Sequence, residues 1–596
     1  DSLYRFFSDA NEQHRAEAAK AFGSIQDTLA IDRLGRLLLH DPSEEVRKAA
    51  AFGLGQTYHP ASADLLRKAL SAEKVPDVLA AILKAYGKTT GAWALDAKSL
   101  PGDSITSAGL AWSLYQAGIR GKVDPAANSL AVNLLDAHNS QDTRLGATHF
   151  FARASANAKP AEPTLIRIAR RDPSSDVRMA AVSALGKIAS DSCLTALENV
   201  MKQEKDSRVV VNAVKALASF PYSRVKKLLF EAVTGQDVNT GIAASEVLIA
   251  TIKDDDWIEA SSLTNRTQNW RLRANVYEAA LKAGKNPDLA NEIESLYAKA
   301  SNPYHQAAFL SCLKHYPPAF DFIVSELLHT DTAIVRSAAA TALAAMSEQE
   351  NVPTSSRRRF AETFAELMHS DDPAVVGIIA SALASPGASY KTLITNYDFL
   401  YDARKKLHLP EDAESLQAVE AAIAYFEDRK PTAVKNPFNH PVNWQVVKGI
   451  SSEERAIIQT EHGNIVVHLL VDEAPGSVAN FVALAEKGYF DNKFFHRIVP
   501  NFVVQAGCPR GDGWGSEEYS IRSEFSPRAY KSGSVGMASA GKDTECTQWF
   551  ITFSPTPHLD GRYTIFGEVV EGLSAINYLQ VGDKILGVQI EHSTAH

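Results

Sequence analysis

The sequence predicts a chain in two parts, an all-α repeat region followed by a β-barrel. Three observations predict this organisation. A short phrase recurs through residues 1–428 at a spacing of roughly 30–35 residues, a period typical of solenoids. Proline residues then interrupt residues 429–452, which we expect to form an extended linker. From residue 453 to residue 596 the apolar residues recur with a period of two, which indicates strands.

Composition narrows the classes of function. The 596 residues exceed what one hydrophobic core holds, and 45% hydrophobic with 22% charged residues is typical of globular proteins. The net charge of -9 is mild and argues against nucleic-acid binding. No apolar run is long enough for a membrane span. The four cysteines form no C-x-x-C pair and the histidines show no ligand spacing, so we expect neither a metal nor another cofactor.

The recurring phrase joins a capped helix start to a run of small residues. It reads from Asp41 to Ala50 and again from Asp172 to Ala181. Asp or Ser caps the helix, and Pro fits its first turn. A single helix pair cannot bury its apolar face, so about a dozen copies are expected to stack. The pattern resembles HEAT-like repeats, which implies an all-α superhelical solenoid of helix pairs.

An arginine recurs in the phrase, at Arg47, Arg178 and Arg336. One interpretation is a binding surface. The other, which we favour, is a structural ladder, because HEAT-type repeats commonly pair this arginine with an acidic group in a neighbouring turn. The resemblance also implies an extended concave surface that binds a protein partner.

The linker and the elements after it follow from local signals. Three X-Pro pairs break any helix in the linker, where Phe438 and Trp444 are predicted apolar anchors along the last repeats. Short strands that alternate with Gly-rich loops favour a closed β-barrel. The predicted elements are strands at 456–460, 464–469 and 585–591 and helices at 475–487 and 570–579.

The most informative segment runs from Phe494 to Gly507. It places Arg497, Phe502 and Gln505 on an apolar, strand-like background, and the segments 536–541 and 548–551 follow it. Together these segments resemble the active-site strands of a cyclophilin, a peptidyl-prolyl cis-trans isomerase. The resemblance implies a closed eight-stranded antiparallel β-barrel with two helices.

The reaction implied is rotation about an X-Pro bond, whose barrier of about 18–20 kcal/mol comes from amide resonance. A cationic donor aimed at the proline nitrogen stabilises the twisted amide more than the planar one. Arginine suits this task because it stays charged and holds a planar fork of donors. In cyclophilins the arginine of this motif has that role, here Arg497.

The resemblance assigns the remaining site residues. It implies that Arg497, Phe502 and Gln505 are catalytic, with Gln505 positioning Arg497. The residues implied in substrate binding are Val503, Ala538, Ser539, Gln548, Phe550, His558, Leu559 and Tyr563. Four of these depart from the familiar eukaryotic pattern, which has Met, Asn, Trp and His at positions 503, 539, 558 and 563. Loss of the rim Trp should weaken cyclosporin binding.

Two functions are open. In the first, the chain is a prolyl isomerase that acts on proline-containing protein or peptide clients, with the solenoid as a protein-binding scaffold. In the alternative, it is a scaffold or chaperone in which the barrel only binds proline-containing segments. No Met precedes Asp1, and the sequence resembles bacterial, Bacteroidetes-like proteins. Both observations favour the periplasm or cell envelope over the cytoplasm. In an oxidising compartment Cys508 and Cys546 could pair.

Overall fold

The structure is a computed structural model and describes residues 3–155, 157–349, 352–437 and 439–592. The chain divides into two compact units. Unit 1 comprises residues 1–228, 524–530 and 554–562. Unit 2 comprises residues 229–523, 531–553 and 563–596. Each unit therefore contains repeat helices together with segments that follow residue 453.

The helices are numbered in chain order. Those that begin in unit 1 are α1 Glu12–Ile25, α2 Ile31–His40, α3 Glu44–Gln56, α4 Pro60–Ala72, α5 Pro76–Thr89, α6 Ser104–Gly118, α7 Ala126–Leu134, α8 Gln141–His149, α9 Glu162–Arg171, α10 Ser175–Ile188, α11 Asp191–Gln203, α12 Ser207–Ala216 and α13 Tyr222–Val233. Those of unit 2 are α14 Val238–Thr251, α15 Trp257–Ser262, α16 Trp270–Gly284, α17 Pro287–Lys299, α18 Pro303–Cys312, α19 Phe320–His329, α20 Ala333–Ser347, α21 Thr354–Leu367, α22 Pro373–Leu383, α23 Asp398–Lys406, α24 Ala413–Phe426, α25 Trp444–Gly449 and α26 Pro475–Glu486.

The repeat helices of each unit stack in two rows. In unit 1 the inner row is α1, α3, α5, α6, α8, α10 and α12, each packed on the next. In unit 2 it is α14, α16, α18, α20, α22 and α24. Small residues at the contacts allow this close approach, as at Ala50 and Ala51, which are fully buried. The predicted stacking of helix pairs is confirmed.

The ladder interpretation of the repeated arginine is also confirmed. In unit 1, Arg47 Nε lies 2.7 Å from Glu73, and Arg178 Nε lies 2.7 Å from Glu204. In unit 2, Arg336 Nη1 lies 2.9 Å from Asp372. These partly buried pairs link consecutive repeats.

In the described part of the chain, eight strands form one antiparallel sheet, all of it in unit 2. They are β1 Arg455–Thr460, β2 Gly463–Leu469, β3 Arg497–Val499, β4 Val503–Ala506, β5 Ser534–Met537, β6 Trp549–Thr552, β7 Ile565–Glu571 and β8 Ile585–Glu591. Their order is β3-β4-β6-β5-β7-β2-β1-β8. The sheet curls around a core that includes Phe481, Phe490, Trp549 and Phe566.

The predicted closed barrel is wrong, because the sheet has two edges, β3 and β8. The segments beside them, residues 492–495 and 582–585, are joined by an isolated bridge from Phe494 to Lys584 and by backbone bonds such as that from the Phe495 amide to the Asp583 carbonyl at 2.8 Å, but this pairing does not extend into β3. The physical reason is length, since β3 has only three residues and cannot sustain a continuous ladder.

One of the two predicted helices forms. Helix α26 matches the prediction at 475–487, whereas the predicted helix at 570–579 is wrong. Strand β7 continues to Glu571 and a single short 3₁₀ turn, Ala575–Asn577, follows. Gly572 ends the strand at φ 77°, where a Cβ would lie 2.0 Å from the Asn464 carbonyl oxygen.

The predicted linker is interrupted by α25. The prediction that Trp444 is an apolar anchor is wrong, because its side chain is 58% exposed. Phe438, the other predicted anchor, lies outside the described residues. The segment before α25 contacts the loop at 518–520, where Asn439 Nδ2 donates to the Glu518 carbonyl at 2.8 Å and His440 stacks on Tyr519. None of the described helices has the length and apolarity that spanning a bilayer requires.

Candidate active site

Three predicted site residues lie opposite one another on neighbouring strands of unit 2. Arg497 on β3 faces Gln505 on β4, and Gln505 faces Phe550 on β6. Directly opposed residues project from the same face of a sheet. The register therefore places a cationic side chain, an amide and an aromatic ring in one row.

Hydrogen bonds fix the direction of the arginine. Arg497 Nη1 donates to Gln505 Oε1 at 3.3 Å, and Gln505 Nε2 donates to Gln548 Oε1 at 3.1 Å. Gln548 Nε2 donates in turn to the carbonyl oxygens of Gly513 and Gly515, at 3.0 and 3.2 Å. In this series of hydrogen bonds the partner of Arg497 is the neutral amide of Gln505, so the bond orients the guanidinium without neutralising its charge.

The charge on this arginine is retained. Partial burial lowers the pKa of Arg497, and the nearby Tyr563 opposes that shift. A guanidinium stays protonated in proteins under such shifts. The side chain is exposed at the end of the row. It can therefore approach a bound amide as a permanent cation.

Apolar side chains lie beside this row. Val503 and Phe550 are 2% and 5% exposed, and Phe502 is half-buried. The rings of Phe550 and Tyr563 meet edge to face with centroids 6.0 Å apart. The Arg497 guanidinium carbon lies 6.0 Å from the Phe502 ring centroid. An apolar group held against these rings would lie near the cation.

Ala538 and Ser539 follow β5 and are half-buried. The Ala538 amide already donates to the Gln548 carbonyl at 2.9 Å. Its carbonyl is therefore the backbone group it can offer to a ligand.

His496 precedes the arginine and remains neutral. Burial lowers the pKa of His496 to about 4. This supports the packing role expected for it, since a neutral buried ring cannot compete with Arg497 as a cation.

The four cysteines are free thiols, all buried. The possible pairing of Cys508 with Cys546 is thus not found in the structure. Burial raises the pKa of the Cys546 thiol to about 11. Among the described residues no group of three or more His, Cys, Asp or Glu side chains is arranged to hold a metal ion.

The remaining predicted site residues, His558 and Leu559, belong to residues 554–562 of unit 1, which we call the rim segment. Within unit 1, Gln56 Nε2 at the end of α3 donates to the Gly561 carbonyl at 2.5 Å. Gln56 Oε1 accepts a bond from Lys88 Nζ of α5 at 2.8 Å. Burial lowers the pKa of His558 to about 4. Repeat helices therefore hold the rim segment.

Known proteins share the C-terminal part of this chain. The family described as cyclophilin type peptidyl-prolyl cis-trans isomerase/CLD matches residues 455–594. A peptidyl-prolyl cis-trans isomerase of Synechococcus elongatus is 42% identical over 138 residues, which are 23% of this chain and 95% of the relative. The chain belongs to the cyclophilin-type isomerase family. We call its matching part the cyclophilin domain.

Other matches extend this comparison. Peptidyl-prolyl cis-trans isomerase B of Bacillus subtilis is 44% identical over 134 residues, which are 22% of this chain and 94% of the relative. A crystal structure of a cyclophilin type isomerase from Cryptosporidium parvum is 30% identical, covers 24% of this chain and 99% of its own, and has a TM-score of 0.23. HEAT repeats match residues 1–87, 128–210 and 162–249. The cyclophilin and HEAT resemblances are thus both confirmed.

Several residues that contact the site were missed by sequence reasoning. The carbonyls of Gly513 and Gly515 hold Gln548, and the glycines at 511, 513 and 515, all with positive φ, were the signal for a tightly turned loop. Gln56 carries no comparable signal, because its contact with Gly561 joins residues 505 positions apart.

Proposed function

We propose that the cyclophilin domain catalyses cis-trans rotation of X-Pro bonds in protein clients, with Arg497 as the electrostatic catalyst. The observation that carries this proposal is the hydrogen-bond chain from Arg497 through Gln505 to Gln548. These hydrogen bonds present a charged, oriented donor beside an apolar surface. Such a donor can stabilise the lone pair that the proline nitrogen recovers as the amide twists.

The other side chains divide into two roles. From the family resemblance we infer that Phe502, Val503, Phe550, Leu559 and Tyr563 serve to bind the proline ring. Ala538 and Ser539 hold the substrate backbone, Gln548 lies by the neighbouring pocket, and His558 takes the rim position. No proton is transferred in this reaction, so a site without an acid or a base is sufficient.

The chain would be organised in three segments. Residues 1–428 form the HEAT-like repeats, residues 429–452 the linker and residues 453–596 the cyclophilin domain. The HEAT matches support a scaffold role for the repeats. Its partners would be proline-containing clients at the domain and a protein on the repeat surface.

The test is isomerisation of a short X-Pro peptide, followed by NMR exchange. Loss of one preorganised donor typically lowers kcat about 100- to 1000-fold, so we expect the kcat of Arg497→Ala to be lower than that of the wild type by this factor. Arg455, an exposed arginine on β1, provides the matched control Arg455→Ala, which should keep the wild-type rate.

The alternative function, a scaffold whose domain only binds proline-containing segments, predicts a different outcome. The peptide would bind to the wild-type chain and to Arg497→Ala without acceleration by either. That result would overturn the proposed isomerase and favour the scaffold.

A further inference from the structure

A repeat helix of unit 2 contacts the strand that carries Arg497. Arg271, in the first turn of α16, donates from Nη1 to the Ile498 carbonyl at 2.9 Å. Its Nη2 donates to Glu246 of α14 at 3.0 Å, so the guanidinium is fixed at both ends. The Arg271 side chain is 18% exposed. Ile498 directly follows Arg497 in the chain.

This contact acts on the shortest strand of the sheet. Strand β3 has three residues and lies at an edge, paired with β4 alone. Few ladder hydrogen bonds can hold so short a strand. A bond to the Ile498 carbonyl from a rigid helix therefore restricts where the Arg497 backbone can lie.

A second contact reaches the other end of the hydrogen-bond chain. Arg510 Nη2 donates to both carboxylate oxygens of Asp372, at 2.8 and 2.9 Å. Asp372 caps α22 and also accepts a bond from Arg336 of the ladder. Tyr304 of α18 donates to the Gly511 carbonyl at 2.7 Å.

The loop gripped in this way is the one that orients Gln548. Trp514 lies against Gly377 of α22, where a Cβ would be 2.8 Å from the indole ring. The carbonyls on either side of Trp514, those of Gly513 and Gly515, accept the bonds from Gln548 Nε2. Contacts therefore connect Asp372 to Arg497 without a break.

We propose that the repeat helices of unit 2 set the geometry of the isomerase site, with Arg271 and Asp372 as positioning residues. Arg271 acts through the backbone of β3, and Asp372 acts through Arg510, its loop and Gln548. This inference rests on the proposed function and extends it. The repeats would then contribute to the chemical step as well as to the selection of clients.

The test uses the full chain and the X-Pro exchange measurement. Arg271→Met keeps the apolar stem and removes the donors, and it should lower kcat about tenfold with little change in KM, because misplacement by about 1 Å can cost up to 100-fold. Arg271→Lys should recover part of the rate. Asp372→Asn keeps the helix cap and should lower kcat about threefold, since the amide carries no charge and offers one oxygen in place of the two that accept from Arg510.

Matched controls come from the ladder of unit 1. Arg178→Met removes an arginine with a comparable partly buried ion pair, and Asp172→Asn changes an aspartate that also precedes a proline. Both controls should retain the wild-type kcat. A readout independent of rate is the Nε–Hε NMR resonance of Arg497, which should shift in Arg271→Met and stay in place in Arg178→Met.

The outcomes separate the two proposals. If wild type is active and Arg497→Ala is not, yet Arg271→Met and Asp372→Asn match their controls in kcat and resonance, positioning by the repeats is overturned alone. If Arg271→Met does not fold, Asp372→Asn decides the matter by the same criteria. An inactive wild type would overturn the proposed function, and an unmoved Arg497 resonance in these variants would overturn the inference.

Discussion

Strand β3 and the rim segment both carry proposed site residues, and repeat helices hold each of them by different chemistry. In unit 2 the contacts on β3 and its neighbouring loop are charged, from Arg271 and from Asp372 to Arg510. In unit 1 the rim segment is held by the Gln56 amide and by buried Lys88 behind it. Burial lowers the pKa of Lys88.

The difference suggests a division of labour. Charged contacts near β3 orient the catalytic cation, so their loss should appear in kcat. Contacts on the rim segment place His558 and Leu559, which we assign to substrate binding, so their loss should appear in KM. Four predictions test this division.

The largest effect is expected for Gln56→Leu in unit 1. It leaves the Gly561 carbonyl and the Lys88 ammonium without their partner, and unsatisfied buried groups cost about 1–3 kcal/mol each. We expect a loss of roughly 3 kcal/mol in unfolding free energy, measured by denaturant titration. KM should rise while kcat is kept. Gln203→Leu, at an exposed position, is the control, and a fall in kcat for Gln56→Leu would break the comparison.

The second-largest effect is expected on acidification, which should lower the unfolding free energy of unit 1. Burial lowers the pKa of His149 to about 3 and that of His558 to about 4. The unfolded chain protonates these rings near their ordinary pKa of about 6.5, so stability is present above that pH and is lost as pH falls toward 4. From pH 7 to pH 5 each ring should cost about 2 kcal/mol.

Thermal unfolding of His149→Phe at the two pH values checks this expectation. The variant should lose less stability than wild type on acidification, because one ring no longer takes up a proton on unfolding. His138→Phe, at an exposed ring, should behave like wild type. An unchanged pH dependence in His149→Phe would contradict the prediction.

A kinetic effect of smaller size is expected on the β3 side. Gln548→Leu removes the link between the loop at 513–515 and Gln505, and we expect kcat to fall about tenfold, equal to about 1.4 kcal/mol. KM should rise as well, because Gln548 is also assigned to substrate binding. Gln459→Leu on β1 serves as the control in the same sheet. A change confined to KM would contradict our proposal that the hydrogen bonds from Gln548 through Gln505 to Arg497 act on the chemical step.

The smallest effect is expected for the ladder. Arg47→Met should lower the unfolding free energy by about 1 kcal/mol, because Glu73 keeps its bonds from the Lys74 and Val75 amides when the ion pair is lost. Neither kcat nor KM should change. A lowered rate would show that the ladder of unit 1 also influences catalysis, which the comparison excludes.

Local signals in the sequence predicted most of the elements. The strand at 585–591, the helix at 475–487 and the pairing of Arg47 follow from period, capping and repeat position. The resemblance carried by residues 494–507 predicted Arg497, Phe502 and Gln505 as site residues, and strand pairing places Arg497, Gln505 and Phe550 in one row. Each of these features depends on residues that are near in sequence or that recur at a fixed period.

The errors have long-range causes. Closure of the barrel depends on ladder bonds between β3 and β8, which no local pattern specifies. The predicted helix after Val570 has an apolar pattern, but the Gly572 backbone conformation and the close Asn464 carbonyl end the strand instead. The contact of Arg271 with Ile498 joins positions 227 apart, and a surface arginine gives no sign of it in sequence.

The bond from Arg271 to the Ile498 carbonyl has a consequence for biogenesis. An edge strand with free carbonyls is a template on which another chain can add and aggregate. Ribosomal synthesis proceeds from the N-terminus, and N-terminal domains generally fold first. Helix α16 is therefore complete before β3 emerges. Arg271 is then in place to bind the Ile498 carbonyl, and so to protect this edge, as soon as the edge forms.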